Sequence, residues 1–522
     1  MTPLPSRLPL VAPMAALLLL ATPLASSAAQ GGSKAAPQPT YPADTVRADL
    51  QELYAMLRRA HYDLYARTPP AEYDARYRES LASVRGPMRH LDVVRLFQAF
   101  VAVGRVAHAQ IGFPEAAFAA YADSGGTMFP ADLRVVGGRT LVAYNYSAEP
   151  LLAPGTEVIA IDRLDVGARL ARLGRYISAD HRYMRDALFE FDFPRLLWLD
   201  AGPADAFQVS VRRRGGADTT VSLRALAVRD VEPKRRAWQA DYRRVASVLP
   251  ERIAYLRPGP FFDAEGGQVG YDGAAFATFL GTSFRQFIDA HAEDLVIDLR
   301  NNPGGDNSFS DPMVAWFADR PFRFVSRYTL KASPETRRAL AALVEAYPDL
   351  PAVKRLQAAL RGASDGARVP FEVQEVQPRR DSAFAGRVWV LINRHTYSNA
   401  TSVAALIQDY RFGTLLGEET SDLATSYGSA AQFTLPRTKI VVNYPKGYLV
   451  RPSGDTALRG VVPDVCIATP IAHTQGDAVL EEAIRVVKER RAGSSRSEQS
   501  PRLGGTGPAA SEAGQGCFAG AP

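Results

Sequence analysis

From residue 250 to residue 490 the sequence alternates short apolar runs with longer stretches of helical periodicity. The run EDLVIDLRNN is apolar through Leu295–Ile297, and VWVLI (388–392) repeats this pattern, as expected of strands buried on both faces. Helices between buried strands cover the two faces of a sheet. The alternation therefore predicts an α/β core at residues 229–491, with a helical, charged insertion at 331–378.

Two other units precede this core. Residues 44–112 have apolar residues at helical spacing and predict a helical N-terminal domain, in which one helix ends at His108. Residues 113–228 contain short alternating runs, two of them joined at Gly215-Gly216, and predict a small mixed α+β domain. Residues 492–522 are rich in Ser, Gly and Pro, which is typical of a disordered tail.

The N-terminus MTPLPSRLPLVAPMAALLLLATPLASSAAQ has one arginine, an apolar run and then small residues. This pattern predicts a secretory signal peptide at 1–29, cleaved near Ala28 or Ala29 and followed by a linker at 30–43. The apolar run is short for a membrane anchor. We expect a periplasmic or secreted protein without stable membrane insertion.

The composition excludes several classes of partner. The net charge is +6 over 522 residues, and no dense Lys/Arg block with interleaved aromatic residues is present, so we expect no nucleic acid partner. The two cysteines, Cys466 and Cys517, are too few for a zinc site. In an oxidising compartment they either form a disulfide or remain thiols.

A serine stands at a strand-to-helix corner in NRHTYSNATSVAA (393–405). Ser398 follows the VWVLI run and opens a helical pattern, so it lies beside unpaired N–H groups that suit an oxyanion. Serine is also a common helix N-cap, and this interpretation stays open. A second turn, the Pro-Gly-Gly of IDLRNNPGGDN, can direct backbone N–H groups at an anion or serve as a plain turn.

Four motifs occur in order: IDLRNNPGG, VWVLINRHTYSNATSVAALIQDY, FGTLLGEET and GVVPDV. Together they resemble the tail-specific, C-terminal processing serine peptidases, relatives of the tricorn protease core. The resemblance covers residues 250–470 and implies a crotonase-like β-α-β superhelix. It implies Ser398 as nucleophile, with oxyanion donors from Gly305, its neighbour Gly304 and the backbone of Asn399.

The general base depends on the branch of the family. Most members use a lysine in a G-K-G-x-x-Q element, but Tyr427 stands at that place here, which leaves Lys439 and Lys446 as fallback candidates. The other branch uses a histidine from the N-terminal helices. VGRVAHAQIGFP resembles its segment and implies His108 as the base, with His395 as a second candidate.

The acidic partner in the family lies shortly before a G-[IV]-x-P-D motif. In RPSGDTALRGVVPDV, Ala457 stands near the expected position of a glutamate, so Asp455 is the candidate. Glu418 and Glu419, at the end of a predicted strand, also remain possible, and Asp464 is expected to be structural.

The middle unit contains PGTEVIAIDRLDV, which resembles the P-G-D-x-I-x-x-I-[DN]-G segment of PDZ-like domains. PDZ domains capture chain ends by adding a strand to a sheet edge. The other interpretation is a mixed domain without a peptide groove.

The resemblance thus implies an exported serine endopeptidase that cleaves proteins or peptides through an acyl-enzyme on Ser398, with His108 as base and no metal or organic cofactor. Three departures from the family pattern leave a second function open, that of an inactive relative that binds peptides or hydrophobic ligands. They are Tyr427 in place of the lysine, Val106 and Ala107 in place of an acidic residue before His108, and Ala457. A crotonase-type acyl-CoA enzyme fits poorly with export.

Overall fold

The computed structural model describes residues 39–213, 216–239, 242–263, 273–381, 383–471 and 476–497. The predicted signal peptide, the first part of the predicted linker and residues 498–522 lie outside these ranges. Cys466 is disulfide-bonded, and Cys517 lies outside the described residues. No helix within the described ranges is long and apolar enough to cross a bilayer.

The N-terminal unit is built on three helices whose apolar residues form one buried face. Its elements are β1 (Thr40–Tyr41), α1 (Ala43–Ala60), α2 (Pro70–Ser83), β2 (Met88–Arg89), α3 (His90–Ala102) and β3 (Gln110–Ile111). In α1, Leu50, Leu53 and Leu57 are fully buried, and their spacing of three and four residues places them on one side of the helix. They pack against Phe97 and Phe100 of α3.

Helix α3 ends at Ala102, so the prediction that a helix runs to His108 is wrong. Arg105 has φ of 52°, a left-handed conformation that an α-helix does not contain. His108 therefore lies in the connection between α3 and β3.

The middle unit is an antiparallel sheet in the order β10-β9-β7-β6-β5, with β8 added to β7. Its elements are α4 (Glu115–Asp123), β4 (Thr127–Met128), β5 (Ala131–Val136), β6 (Arg139–Asn145), β7 (Glu157–Ile161), β8 (Leu164–Asp165), α5 (Val166–Gly174), α6 (Arg182–Ala201), β9 (Ala206–Arg212), β10 (Asp218–Arg224), β11 (Leu226–Ala227) and α7 (Val228–Gln239). Phe189 and Phe193 of α6 pack with Phe207 and Val209 of the sheet. Val231 of α7 joins this cluster, so the unit continues beyond residue 228.

The core contains a sheet in the order β12-β13-β14-β19-β20-β23, which is parallel except for β12. Its strands are β12 (Val245–Leu249), β13 (Ile253–Arg257), β14 (Asp294–Asp298), β19 (Arg387–Ile392), β20 (Thr414–Gly417) and β23 (Val465–Cys466). Val388, Val390 and Ile392 face one apolar layer, whereas Trp389 and Leu391 face another. Burial on both faces explains why the VWVLI run does not alternate with polar residues.

Helices cover both faces of this sheet. On one face lie α8 (Ala274–Asp289), α9 (Asn307–Val314) and α12 (Asn399–Tyr410), and on the other lies α13 (Ala478–Ser497). Helix α13 continues past residue 491, into the segment expected to be a disordered tail. The result is a mixed α/β core of three layers.

The core also contains a second sheet, in the order β17-β16-β22-β21, and a two-stranded sheet of β15 and β18. The remaining elements are β15 (Phe322–Arg323), β16 (Arg327–Lys331), α10 (Pro334–Ala346), α11 (Pro351–Leu360), β17 (Arg368–Phe371), β18 (Glu375–Val376), β21 (Ser426–Thr434) and β22 (Val441–Val450). Strand β3 of the N-terminal unit pairs with β22, with Ile111 opposite Val442. This pairing brings the connection that contains His108 onto the core.

Candidate functional site

Ser398 lies at the carboxyl end of β19, directly before α12. Its connection is tied to the strand that precedes the Gly-Gly turn: Thr396 Oγ1 donates to the Leu299 carbonyl at 2.8 Å, and the Tyr397 N–H donates to the Asn302 carbonyl at 2.9 Å. Ser398 itself has φ of 53° and ψ of −122°. Such a conformation costs a non-glycine residue about 1–3 kcal/mol and is concentrated at functional sites.

The Ser398 hydroxyl does not cap the helix that follows it. Ser398 is the N-cap residue of α12, yet its side chain accepts no backbone hydrogen bond there. Its Oγ instead lies 3.4 Å from Nε2 of His108. Pairs of nucleophile and base are often this loose before substrate binds. The sequence is compatible with a cap or a nucleophile, and this contact favours the nucleophile.

His108 is buried, and its ring stacks on that of Tyr397 with centroids 5.5 Å apart. Burial lowers the pKa of His108, while the charge of Asp180 and a hydrogen bond to the backbone of Tyr427 raise it. The neutral imidazole is therefore the favoured form. With one ring nitrogen donating to the Tyr427 carbonyl, Nε2 is left as the acceptor for the Ser398 hydroxyl.

The Gly-Gly turn packs directly against Ser398. A Cβ on Gly304, whose φ is 92°, would lie 2.7 Å from the Asn399 nitrogen, and a Cβ on Gly305, whose φ is 144°, would lie 2.1 Å from the Phe261 carbonyl oxygen. The Gly304 N–H donates to Asn302 Oδ1 at 2.9 Å.

Two backbone donors remain beside Ser398. Among the described residues, no acceptor is found for the N–H groups of Gly305 and Asn399. Asn399 follows Ser398 in the chain, and Gly305 follows Gly304, which packs against Ser398 and Asn399, so both N–H groups are candidates for the donors of an oxyanion hole. Of the three residues that the resemblance implied, these two offer an N–H, whereas the Gly304 N–H is engaged.

Asp455 lies away from this pair. It accepts the Ala457 N–H at 2.9 Å and faces Arg459 at 3.9 Å, and none of its contacts involves His108 or Ser398. His395 also points elsewhere: its Nε2 is 3.0 Å from Glu190 Oε2, and its ring packs on Phe191.

The hydrogen bonds of the two candidate lysines do not involve Ser398. Lys446 Nζ donates to Ser429 Oγ at 2.7 Å and to the Ser429 carbonyl at 2.9 Å. Lys439 is in the connection between β21 and β22, where its N–H donates to the Leu435 carbonyl. Neither contact places a lysine amine against Ser398.

The two candidate glutamates also have partners outside the pair. Glu418 binds Arg134 and Arg394. Glu419 accepts the Gly460 N–H at 3.2 Å. Neither of these contacts involves the imidazole of His108.

Two carboxyl groups near the pair were missed by sequence reasoning. Asp422 is buried, and its Oδ2 accepts the Ser398 N–H at 2.5 Å, while its Oδ1 accepts the Leu423 N–H at 2.9 Å. Burial raises the pKa of Asp422 to about 7, although both N–H groups oppose the shift. Asp180 accepts the Ala107 N–H at 3.0 Å. Asp422 follows the GEET motif closely and could have been noticed, whereas no motif marks Asp180.

The chain is similar to known proteins in sequence over part of its length and in fold over most of it. Residues 262–467 match the model of Peptidase family S41. The crystal structure of mature CPAF has a TM-score of 0.57 and 14% identity, covering 81% of this chain and 92% of that chain. A photosystem II D1 C-terminal processing protease has a TM-score of 0.42 and 16% identity, covering 81% of this chain and 93% of that chain. The tricorn protease has a TM-score of 0.31 and 15% identity, covering 86% of this chain and 37% of that chain.

No curated protein matches this chain in sequence. At 14% identity, the likeness to mature CPAF shows a shared fold. The segment matched by the family model contains Ser398, Gly305 and Asn399 but not His108.

Proposed function

Because residues 262–467 are a domain of peptidase family S41, this chain is a serine-type peptidase, and we propose that it is an exported endopeptidase acting through Ser398 and His108. The motifs that led to the C-terminal processing peptidases are thereby confirmed at the level of the family. The contact of 3.4 Å between His108 Nε2 and Ser398 Oγ carries the proposal. Export rests on the N-terminal sequence alone.

In the acylation step, His108 Nε2 takes the hydroxyl proton as Ser398 Oγ attacks the carbonyl carbon of a peptide bond. The carbonyl oxygen becomes an oxyanion within reach of the Gly305 and Asn399 N–H groups. Donors of this kind stabilise charge that appears only in the transition state, and the loss of one typically costs about a hundred- to a thousand-fold in rate.

The imidazolium of His108 then donates its proton to the leaving amine, and the Ser398 ester remains. Water attacks the ester with His108 again as base, which releases the new carboxyl terminus and restores the serine. All groups in this cycle belong to the chain itself, and the scheme uses no cofactor.

The domain assignments extend the proposal. A core of parallel strands joined by helices, with Ser398 at a carboxyl strand end, is compatible with a crotonase-like superhelix. The PGTEVIAID segment forms β7 within a five-strand antiparallel path, and α5 follows it, which is compatible with a PDZ-like unit for extended peptides. Protein or peptide substrates fit both assignments.

A binding protein without catalysis has less support. The departures at Tyr427 and Ala457 suggested it, but the Tyr427 backbone rather than its side chain contacts His108. A strained serine whose hydroxyl lies beside an imidazole nitrogen supports catalysis over ligand binding alone.

Digestion of an unfolded protein such as reduced casein tests the proposed function. The mature protein should release peptides, and Ser398→Ala, folded to the same degree by circular dichroism, should not. Amino-terminal sequencing of protein recovered outside the cytoplasm should begin near residue 29 or 30. Equal digestion by wild type and Ser398→Ala would contradict the proposal.

A further inference from the structure

The connection between α5 and α6 in the middle unit reaches the base and the nucleophile together. We use the name α5–α6 connection for residues 178–184, which comprise the end of the connection and the first three residues of α6. Its Asp180 is almost fully buried, and Oδ2 accepts the N–H of Ala107, the residue before His108, at 3.0 Å. A buried carboxylate that accepts a backbone N–H fixes the peptide it binds. Asp180 therefore holds the backbone that carries the base.

The same connection also packs on the nucleophile's side of the site. Ala179 and Met184 form a small apolar cluster with Ala107, and Tyr397 packs against it. Ala107 precedes His108, and Tyr397 precedes Ser398. One segment of the middle unit thus contacts the chain neighbours of both reacting side chains, although the two come from different units of the fold.

The charges around Asp180 favour a role at His108. Oδ1 lies 3.3 Å from Nε of Arg67, which is nearly buried and lies over the Tyr427 ring at 5.5 Å. The other titratable groups that interact with Asp180 are His108 itself, Asp422 and Tyr397. Burial and the charge of Asp422 raise the pKa of Asp180, and the Ala107 N–H, Arg67 and His108 oppose this rise and favour the carboxylate.

We propose that Asp180 is the positioning residue for His108: it fixes the Ala107–His108 backbone and places a negative charge beside the imidazolium that forms during acylation. The middle unit, and not the segment around Asp455, then supplies the acid that supports the base. The pair of His108 and Ser398 then requires the α5–α6 connection to be packed against Ala107 and Tyr397. This inference rests on the proposed function of Ser398 and His108.

The rate at which a fluorophosphonate labels Ser398, measured from pH 4 to pH 9, tests the inference. Labelling requires neutral His108, so its acid limb follows the pKa of His108, which Asp180 raises. In Asp180→Asn the acid limb should move to lower pH. The plateau rate should fall about tenfold or more, because a loss of about 1.4 kcal/mol in the stabilisation of the His108 imidazolium corresponds to a factor of ten. Asp180→Glu should recover much of the rate.

Asp186→Asn is the matched control, because Asp186 lies in α6 and faces Arg182 rather than the site. Its rate and limb should equal those of wild type. A wild-type limb in folded Asp180→Asn would overturn the inference, even if the rate fell, since a purely structural defect lowers the rate without moving the limb.

If Asp180→Asn does not fold, Arg67→Met carries the test. Removing the cation that neutralises Asp180 should move the limb to higher pH, opposite to the Asp180→Asn shift, and an unchanged limb would overturn the inference. A folded wild type that is not labelled contradicts the proposed function instead, which keeps the two failures distinct.

Discussion

His108 Nε2 lies 3.4 Å from Ser398 Oγ, although the two residues belong to different units of the fold. The pairing of β3 with β22 brings the connection that contains His108 onto the core. There the His108 ring stacks on the Tyr397 ring, next to Ser398 in the chain. Tertiary structure thus brings the proposed base to Ser398. Alanine substitutions of different histidines should therefore differ strongly in their effect on the rate of peptide release.

His108→Ala should lower the rate of peptide release by about a hundred- to ten-thousand-fold, the usual contribution of a general base. His395→Ala is the control, because His395 faces Glu190 and not Ser398. Initial rates on casein or a fluorogenic peptide measure both. A greater loss in His395→Ala than in His108→Ala would show that the base is assigned wrongly.

Gly305→Ala should reduce acylation about a hundred- to a thousand-fold, because the new Cβ would meet the Phe261 carbonyl oxygen at 2.1 Å and displace a proposed oxyanion donor. The rate of fluorophosphonate labelling measures the effect on protein shown to be folded by circular dichroism. Gly281→Ala, within α8 where the nearest atom is 3.9 Å away, should label like wild type. Full labelling of Gly305→Ala would remove Gly305 from the site.

Asp422 should make stability fall as the pH rises. Its pKa is about 7 in the folded protein and near 3.8 when unfolded, so the folded state binds more protons between those values and loses stability through that window. Asp422→Asn removes this contribution but loses one of two N–H acceptors. Its stability relative to wild type should therefore be better at pH 8 than at pH 4.5, as measured by urea unfolding at both values. A constant difference would contradict the assignment.

Lys446 should have the opposite pH signature. Burial lowers its pKa to about 7 from 10.5, so the charged form is penalised below pH 7 and the penalty disappears as the pH rises toward 10.5. Lys446→Met should gain stability relative to wild type, by a few kcal/mol at most, at pH 6 and less at pH 9.5. Thermal unfolding at the two values measures the difference, and a larger relative gain at pH 9.5 would refute it.

The sequence predicted those parts of the fold that are determined by a short local stretch of residues. The VWVLI run had to be a strand covered on both faces, and the corner after it had to present Ser398 beside a helix N-terminus. The Gly-Gly turn was recognisable because only glycine tolerates its backbone angles and close contacts. These features also carried the correct expectation of a serine-type peptidase.

Other features depend on tertiary contacts that no local pattern encodes. Helix α3 ends before His108 because the chain turns at Arg105 to reach β22. Asp180 lies far from both His108 and Ser398 in sequence and meets them only when the middle unit packs on the core. Asp455 was chosen from its distance to a motif, and its side chain contacts Ala457 and Arg459 instead.

Covalent labelling of the mature protein by a fluorophosphonate, with the modified residue located by mass spectrometry, tests the roles of Ser398 and His108 most directly. We expect one modified peptide carrying the label on Ser398, lost in Ser398→Ala and strongly reduced in His108→Ala. Labelling of another serine, or undiminished labelling of Ser398 in His108→Ala, would contradict these roles.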